Sequence, residues 1–146
     1  MKIEFGGDFI VQRTPEEVYK FLVDPERFCP LLPDYQSMQK QSDKEFSVTM
    51  RVGISHIRGK AIVKMALVEE LPPTRAVYHG NGDVPSGTTS MRAGFDLEPN
   101  GTGTKVLWKG EAQIGGRLPS LAGGLLEPLA KKNLQKLIDA LQAALA

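Results

Sequence analysis

The sequence predicts an α+β fold: a curved antiparallel sheet of six to seven strands gripping one long C-terminal helix, with two short helices after the first strand. Three observations carry this. Leu118, Leu121, Leu125, Leu129, Leu137, Ile138, Leu141 and Leu145 recur at three- and four-residue steps, with Lys131, Lys132, Gln135, Lys136, Asp139 and Gln142 mainly between them, the pattern of one amphipathic helix from Leu118 to Ala146. At ~1.5 Å rise per residue that helix runs roughly 40 Å, longer than any other helical stretch can cover. Most remaining apolar residues alternate with polar ones, so the covering layer is a sheet with one dry and one wet face. A flat sheet would leave its edges and much of the leucine stripe wet, so it curves.

The elements follow in order. Ile3, Phe5, Phe9 and Val11 alternate through residues 2 to 12 with Gly7 keeping the register, which gives strand one. The Gly6-Gly7 pair predicts a bulge or a close approach of another backbone. Thr14-Pro15-Glu16-Glu17 supplies an N-cap threonine, proline at the first helical position and a glutamate three residues after the cap. Val18, Phe21 and Leu22 form that helix's inner face. Asp24-Pro25 ends it and starts a second short helix to about Leu31, which Pro30 and Pro33 stop. Strands begin at Tyr35. Phe46, Val48, Met50 and Val52 alternate with polar residues, as do Ile57, Ala61, Val63, Met65 and Leu67. Leu71-Pro72-Pro73-Thr74 is a turn, and Arg75 to about His79 a short strand. Gly80 to Gly87, with three glycines and Pro85, reads as a flexible loop that holds no ladder. Met91, Ala93, Phe95 and Leu97 give the next inward face. Pro99 to Gly103 is a hairpin loop, and Val106, Trp108, Gly110, Ala112 and Ile114 form the last strand.

The 146 residues, 41% hydrophobic, suit one domain spanning 1–146 with a core that needs no staples. Cys29 is the one cysteine, so no intramolecular disulfide forms, and with two histidines no Cys/His zinc site can be assembled. Eighteen basic against seventeen acidic residues argue against nucleic acid as a partner. Glu4 and Asp8 interrupt the start where a secretory signal needs an apolar core, and no run approaches the roughly 18 apolar residues of a membrane span. The expected location is the cytoplasm.

Phe9-Ile10-Val11 followed by Thr14-Pro15-Glu16-Glu17-Val18-Tyr19-Lys20-Phe21-Leu22-Val23-Asp24-Pro25-Glu26 resembles the opening of the carbon monoxide dehydrogenase CoxG family. That family lies within the START and Bet v 1-like (SRPBCC, polyketide cyclase) helix-grip superfamily. Arg51-Val52-Gly53-Ile54 with Arg58-Gly59-Lys60, Thr104-Lys105-Val106-Leu107-Trp108, and Gly115-Gly116-Arg117-Leu118 extend the resemblance over nearly the whole chain. The resemblance implies a hollow domain holding an apolar small molecule or lipid between sheet and helix, and an accessory role to a molybdenum redox enzyme at the membrane. Some family members carry a further hydrophobic C-terminal anchor. This chain stops at Ala146 without one, so membrane association is expected to be peripheral at most.

No nucleophile with a base, convergent carboxylate pair or metal-ligand set is visible, so no catalytic residue, metal or cofactor is assigned. His56 and His79 read as surface or structural residues, and Cys29 as a buried inert thiol. Met50, Met65 and Met91 fall on the inward phase of three strands together with Phe46, Phe95 and Trp108, while Gly59, Ala61, Ala93, Gly110 and Ala112 share those faces. Large flexible and very small side chains on one surface describe either ordinary packing or a pocket for an adaptable apolar ligand. Gly123, Gly124 and Pro128 weaken the helix's first half, as a lid or a packing kink. Arg51, Arg58, Lys60 and Lys64 form a basic stripe on two outward strand faces.

The expected function is non-enzymatic binding of a hydrophobic small molecule or lipid, such as a quinone. The expected cavity is lined by Phe46, Val48, Met50, Met65, Met91, Phe95, Trp108, Leu125 and Leu129, with Phe28, Tyr78 and Arg92 as contacts at its mouth. Two alternatives stand beside it: docking or assembly of a molybdenum hydroxylase without a ligand, and a cyclase- or hydrolase-type enzyme.

Overall fold

A computed structural model describes residues 1–54 and 56–146. Seven strands, β1 (Lys2–Val11), β2 (Tyr35–Lys40), β3 (Glu45–Ile54), β4 (Ile57–Leu71), β5 (Arg75–Val84), β6 (Gly87–Asn100) and β7 (Gly103–Gly116), form one antiparallel sheet in the order β1-β7-β6-β5-β4-β3-β2. The two edge strands are consecutive in sequence. The chain crosses between them through α1 (Pro15–Leu22), α2 (Pro25–Phe28) and a 3-10 turn (Cys29–Leu31).

Both short helices start as their local chemistry requires. The Thr14 hydroxyl accepts from the Glu17 backbone N–H at 3.3 Å, and the Asp24 carboxylate accepts from that of Glu26 at 3.1 Å, each satisfying a donor that the first turn leaves free. Val18, Tyr19, Phe21 and Leu22 turn inward. The Gly6-Gly7 pair makes no bulge. The β1–β7 register runs unbroken, and a Cβ on Gly7 would lie 3.2 Å from the Trp108 ring, so the glycine makes room for the indole.

Two expectations are corrected. Gly80 to Gly87 is not a loop: β5 continues to Val84, β6 starts at Gly87, and the ladder closes with Val84 opposite Gly87. The glycines there serve close packing within the sheet. A Cβ on Gly80 would overlap the Met65 thioether and approach Met91 Cγ to 2.8 Å, and one on Gly82 would strike the backbone of β4. The C-terminal segment is also not one helix. It divides into α3 (Leu118–Ala122), a 3-10 turn (Gly123–Leu125) and α4 (Leu126–Ala144), because Gly123 takes φ 60°, ψ −135°, a backbone conformation that ends the helical hydrogen-bond run.

Two buried apolar clusters hold the helices to the inner face of the sheet. The larger joins Phe9, Val11, Val18, Tyr19, Phe46, Met65, Tyr78, Phe95 and Val106 to Leu141 and Leu145 near the end of α4. The smaller joins Ile3, Ile54 and Ile57 to Leu118, Ala122 and Leu126 around the break.

The close packing at Gly82 is testable by chemical denaturation. Gly82→Ala places its Cβ 2.7 Å from Val63 Cα and against the Ile62 carbonyl, and should lose roughly 2 kcal/mol or more. Gly94→Ala, whose Cβ has Val77 Cγ2 at 3.4 Å as its nearest neighbour, should stay within about 1 kcal/mol of the parent.

Candidate ligand-binding site

Register fixes what the sheet presents to the helix. Ala112, Met91, Gly80, Met65 and Phe46 lie in one inward row across β7 to β3, and Gly110, Ala93, Tyr78 and Leu67 in the next. Met65 and Met91 therefore flank Gly80 from both sides and occupy the space its missing side chain leaves. On β6 and β7 the neighbouring inward positions Ala93, Gly110 and Ala112 carry no side chain larger than a methyl group. This part of the inner face is thus surfaced by two flexible thioethers beside a strip of alanine and glycine, an arrangement that conforms to a ligand more readily than rigid branched side chains would.

Two hydrogen-bond donors in this interior have no partner. Trp108 Nε1 and Tyr19 Oη are both shielded from solvent and bond to nothing among the described residues. They flank Phe95. Phe95 is opposite Trp108 in the β6–β7 ladder, and the Tyr19 ring meets it edge-on at 6.3 Å between centroids. The Tyr19 hydroxyl's pKa is raised, first by burial and then by the Glu70 carboxylate, so it stays a protonated donor. An indole N–H can only donate. Sequence pattern does not single out Tyr19. It lies on the helix face that packs inward, one position from Val18, and nothing in its spacing distinguishes it from core.

Tyr78 has the opposite character. It is buried, its hydroxyl donates to the Leu22 carbonyl at 2.8 Å, and burial together with Cys29 and other acidic groups raises its pKa strongly. Its ring completes an aromatic cluster with Phe28 and Phe46 at centroid distances of 5.8 to 6.0 Å, which ties α2 to the sheet. Phe28 is half-buried in that cluster. Val48 and Met50 sit inward on β3 opposite Val63 and Ala61. Leu129 is half-buried against the smaller cluster, but Leu125, expected on the inner stripe, is 50% exposed. The break at Gly123 resets the helical phase, so Leu126 takes the buried position instead. Arg92, expected at the cavity mouth, lies on the outer face instead, donating to His79 Nε2 at 3.2 Å.

Cys29 is fully buried, and desolvation, reinforced by Asp24, pushes its thiol up to about 12. His56 is exposed in a turn. Among the described residues no group of three or more His, Cys, Asp or Glu side chains is placed to hold a metal ion, and no helix is long and apolar enough to cross a membrane.

Concavities also open on the outer face. The larger, about 1090 Å³, runs over Gly6, Val77, Gly94 and Leu107 between charged walls that include Arg75 and Asp96. Volume alone favours this trough, but Arg75 is already paired with Asp96 at 3.1 Å and Glu69 at 3.0 Å, a wet, ionic lining poorly suited to an apolar molecule. The chemistry favours the inner face.

A seven-stranded antiparallel sheet carrying a C-terminal helix across its inner face, with short helices bridging its edges, defines a helix-grip domain of the START and Bet v 1-like superfamily. Residues 7–146 match the carbon monoxide dehydrogenase CoxG family, and the chain belongs to that family. Among solved structures, it is similar to a conserved protein from Geobacillus kaustophilus, at TM-score 0.85 and 21% identity over 98% of this chain and 95% of that one. A START superfamily protein from Mycobacterium smegmatis matches at TM-score 0.70 and 13% identity over 97% and 96% of the two chains. The di-domain ARO/CYC StfQ of the steffimycin biosynthetic pathway matches at TM-score 0.69 and 14% identity over 98% of this chain and 50% of that one. No curated protein matches.

The Cys29 environment gives a pH prediction. The unfolded thiol titrates near 9.0 and the folded one near about 12, so its contribution to stability is complete below about pH 9 and is lost as pH rises from there towards 12. A thiol reagent at about pH 8 should leave the native protein unlabelled and label it fully in denaturant, as mass spectrometry would detect.

Proposed function

We propose that this protein is a non-enzymatic, cytoplasmic carrier that binds an apolar small molecule or lipid, of which a quinone is one example, between the sheet and α4, in an accessory role to a redox enzyme. The observation that carries this reading is the pair of orphaned donors, Trp108 Nε1 and Tyr19 Oη, inside an otherwise apolar interior. A buried donor without a partner costs roughly 1–3 kcal/mol, and a ligand oxygen reaching either group would recover part of that cost. The movable Met65 and Met91 over Gly80 and the alanine and glycine strip beside them support a ligand that enters by displacing thioethers. CoxG membership and the helix-grip fold support binding or accessory work as the general role. Binding would be driven by apolar burial at about 25 cal/mol per Å².

The outer trough favours a second reading, in which the protein docks a partner enzyme and carries no ligand.

Trp108 is the single tryptophan, so intrinsic fluorescence reports on the interior alone. Organic extraction of the purified protein followed by mass spectrometry should yield an apolar molecule in stoichiometric amount, and titration with that molecule should change Trp108 emission. Ala112→Phe fills the strip beside Met91 and should weaken binding at least about tenfold, a loss of roughly 1.4 kcal/mol. An empty protein whose emission no quinone or acyl lipid alters would leave only the docking reading.

A further inference from the structure

We propose that the outer face of β3 and β4 is a contact surface for an anionic lipid bilayer. Arg51, Arg58, Lys60 and Lys64 are all exposed on that face. Arg51 lies directly opposite Lys60, Arg58 opposite Gly53, and Lys64 between Ser47 and Asn81, so none has an acidic partner in register. Among the described residues, none of the four enters an ion pair, whereas Lys2, Lys40, Lys44 and Arg75 each do. The nearest carboxylate in register is Asp83, opposite Ile62, and it too enters no ion pair. Like charges facing each other across a ladder destabilise a sheet. In a chain with a formal net charge of only +1, four such cations on two adjacent strands are a local concentration that a negative surface outside the molecule would relieve.

Ile62 stands between Lys60 and Lys64 on the same face and is 51% exposed. A flat strand surface with cations around a bare aliphatic side chain matches a bilayer, where anionic head groups lie directly above an apolar layer. An acidic protein would satisfy the cations equally well. The bilayer is favoured because this inference rests on the proposed apolar ligand: such a molecule partitions out of water into membranes, so its carrier must visit a bilayer to load or release it.

The test is co-sedimentation of the full chain with phosphatidylcholine vesicles, with and without phosphatidylglycerol. The protein should bind the anionic vesicles, release at high salt and ignore the neutral ones. Lys60→Ala and Lys64→Ala should each weaken binding about fivefold, and the double Lys60→Glu, Lys64→Glu variant should abolish it. Lys60→Ala removes the repulsion with Arg51 and should unfold at the parent's temperature or above, which separates lost binding from lost structure. Equal binding to both vesicle types, or none to either, would overturn the proposal. So would retention on immobilised polyglutamate without vesicle binding, which would assign the face to an acidic protein. Vesicle binding needs no ligand, so Ala112→Phe should keep it. Failure here would leave the Trp108 titration standing, and failure of the titration would leave the vesicle result standing.

Discussion

Ten residues of the first strand pair with the last, from Lys2 opposite Gln113 to Val11 opposite Thr104, and the placement of the other elements depends on that register. It joins chain segments about a hundred residues apart, which carries a loop-closure cost that grows only slowly with length. With β1 fixed beside β7, the chain must reach the far edge to begin β2, and α1, α2 and the 3-10 turn cover the sheet's inner face on the way. The same pairing brings Gly7 beneath Trp108 and fixes the indole on the inner face.

Small residues then decide where side chains fit. Gly80 admits Met65 and Met91 into a common space, Gly82 lets β4 and β5 lie together, and Gly123 breaks the C-terminal segment. The break lets α3 pack with Ile54 and Ile57 while α4 continues to Leu141 and Leu145 in the larger cluster. Two separate clusters anchor the C-terminal helices near their two ends, so the ends are held more firmly than the stretch between them. The donors on Trp108 and Tyr19 face this interior without partners, while Tyr78, a few residues along the same inner surface, is fully engaged with Leu22. That contrast makes the interior chemically uneven. Around Tyr78 it is closed and rigid, and around Phe95 it retains unmet hydrogen-bonding capacity.

The two faces of the sheet divide the remaining chemistry. The outer face of β1, β7, β6 and β5 neutralises much of its charge internally, through Lys2 with Glu4 and Arg75 with Glu69 and Asp96. The outer face of β3 and β4 does not. Surface ion pairs contribute little to stability individually, but their distribution sets which part of the surface keeps an external field.

Periodicity and local signals by themselves determined much of this protein. Period-two alternation assigned the inward residues of every strand, the Thr14 and Asp24 caps placed both short helices, and the leucine repeat identified a helical C-terminus, because each depends on neighbours within a few positions. Tertiary structure alone decided the rest. Gly80 and Gly82 resemble loop residues in sequence, yet they are strand positions because Met65, Met91 and the β4 backbone come too close for a side chain. Leu125 continues the repeat but leaves the core because the Gly123 backbone resets the phase. Tyr19 and Trp108 look like ordinary core aromatics until the folded interior leaves their donors without acceptors. In all three cases the deciding contact or conformation arises from chain segments brought together by the fold, and the local pattern carries no record of it.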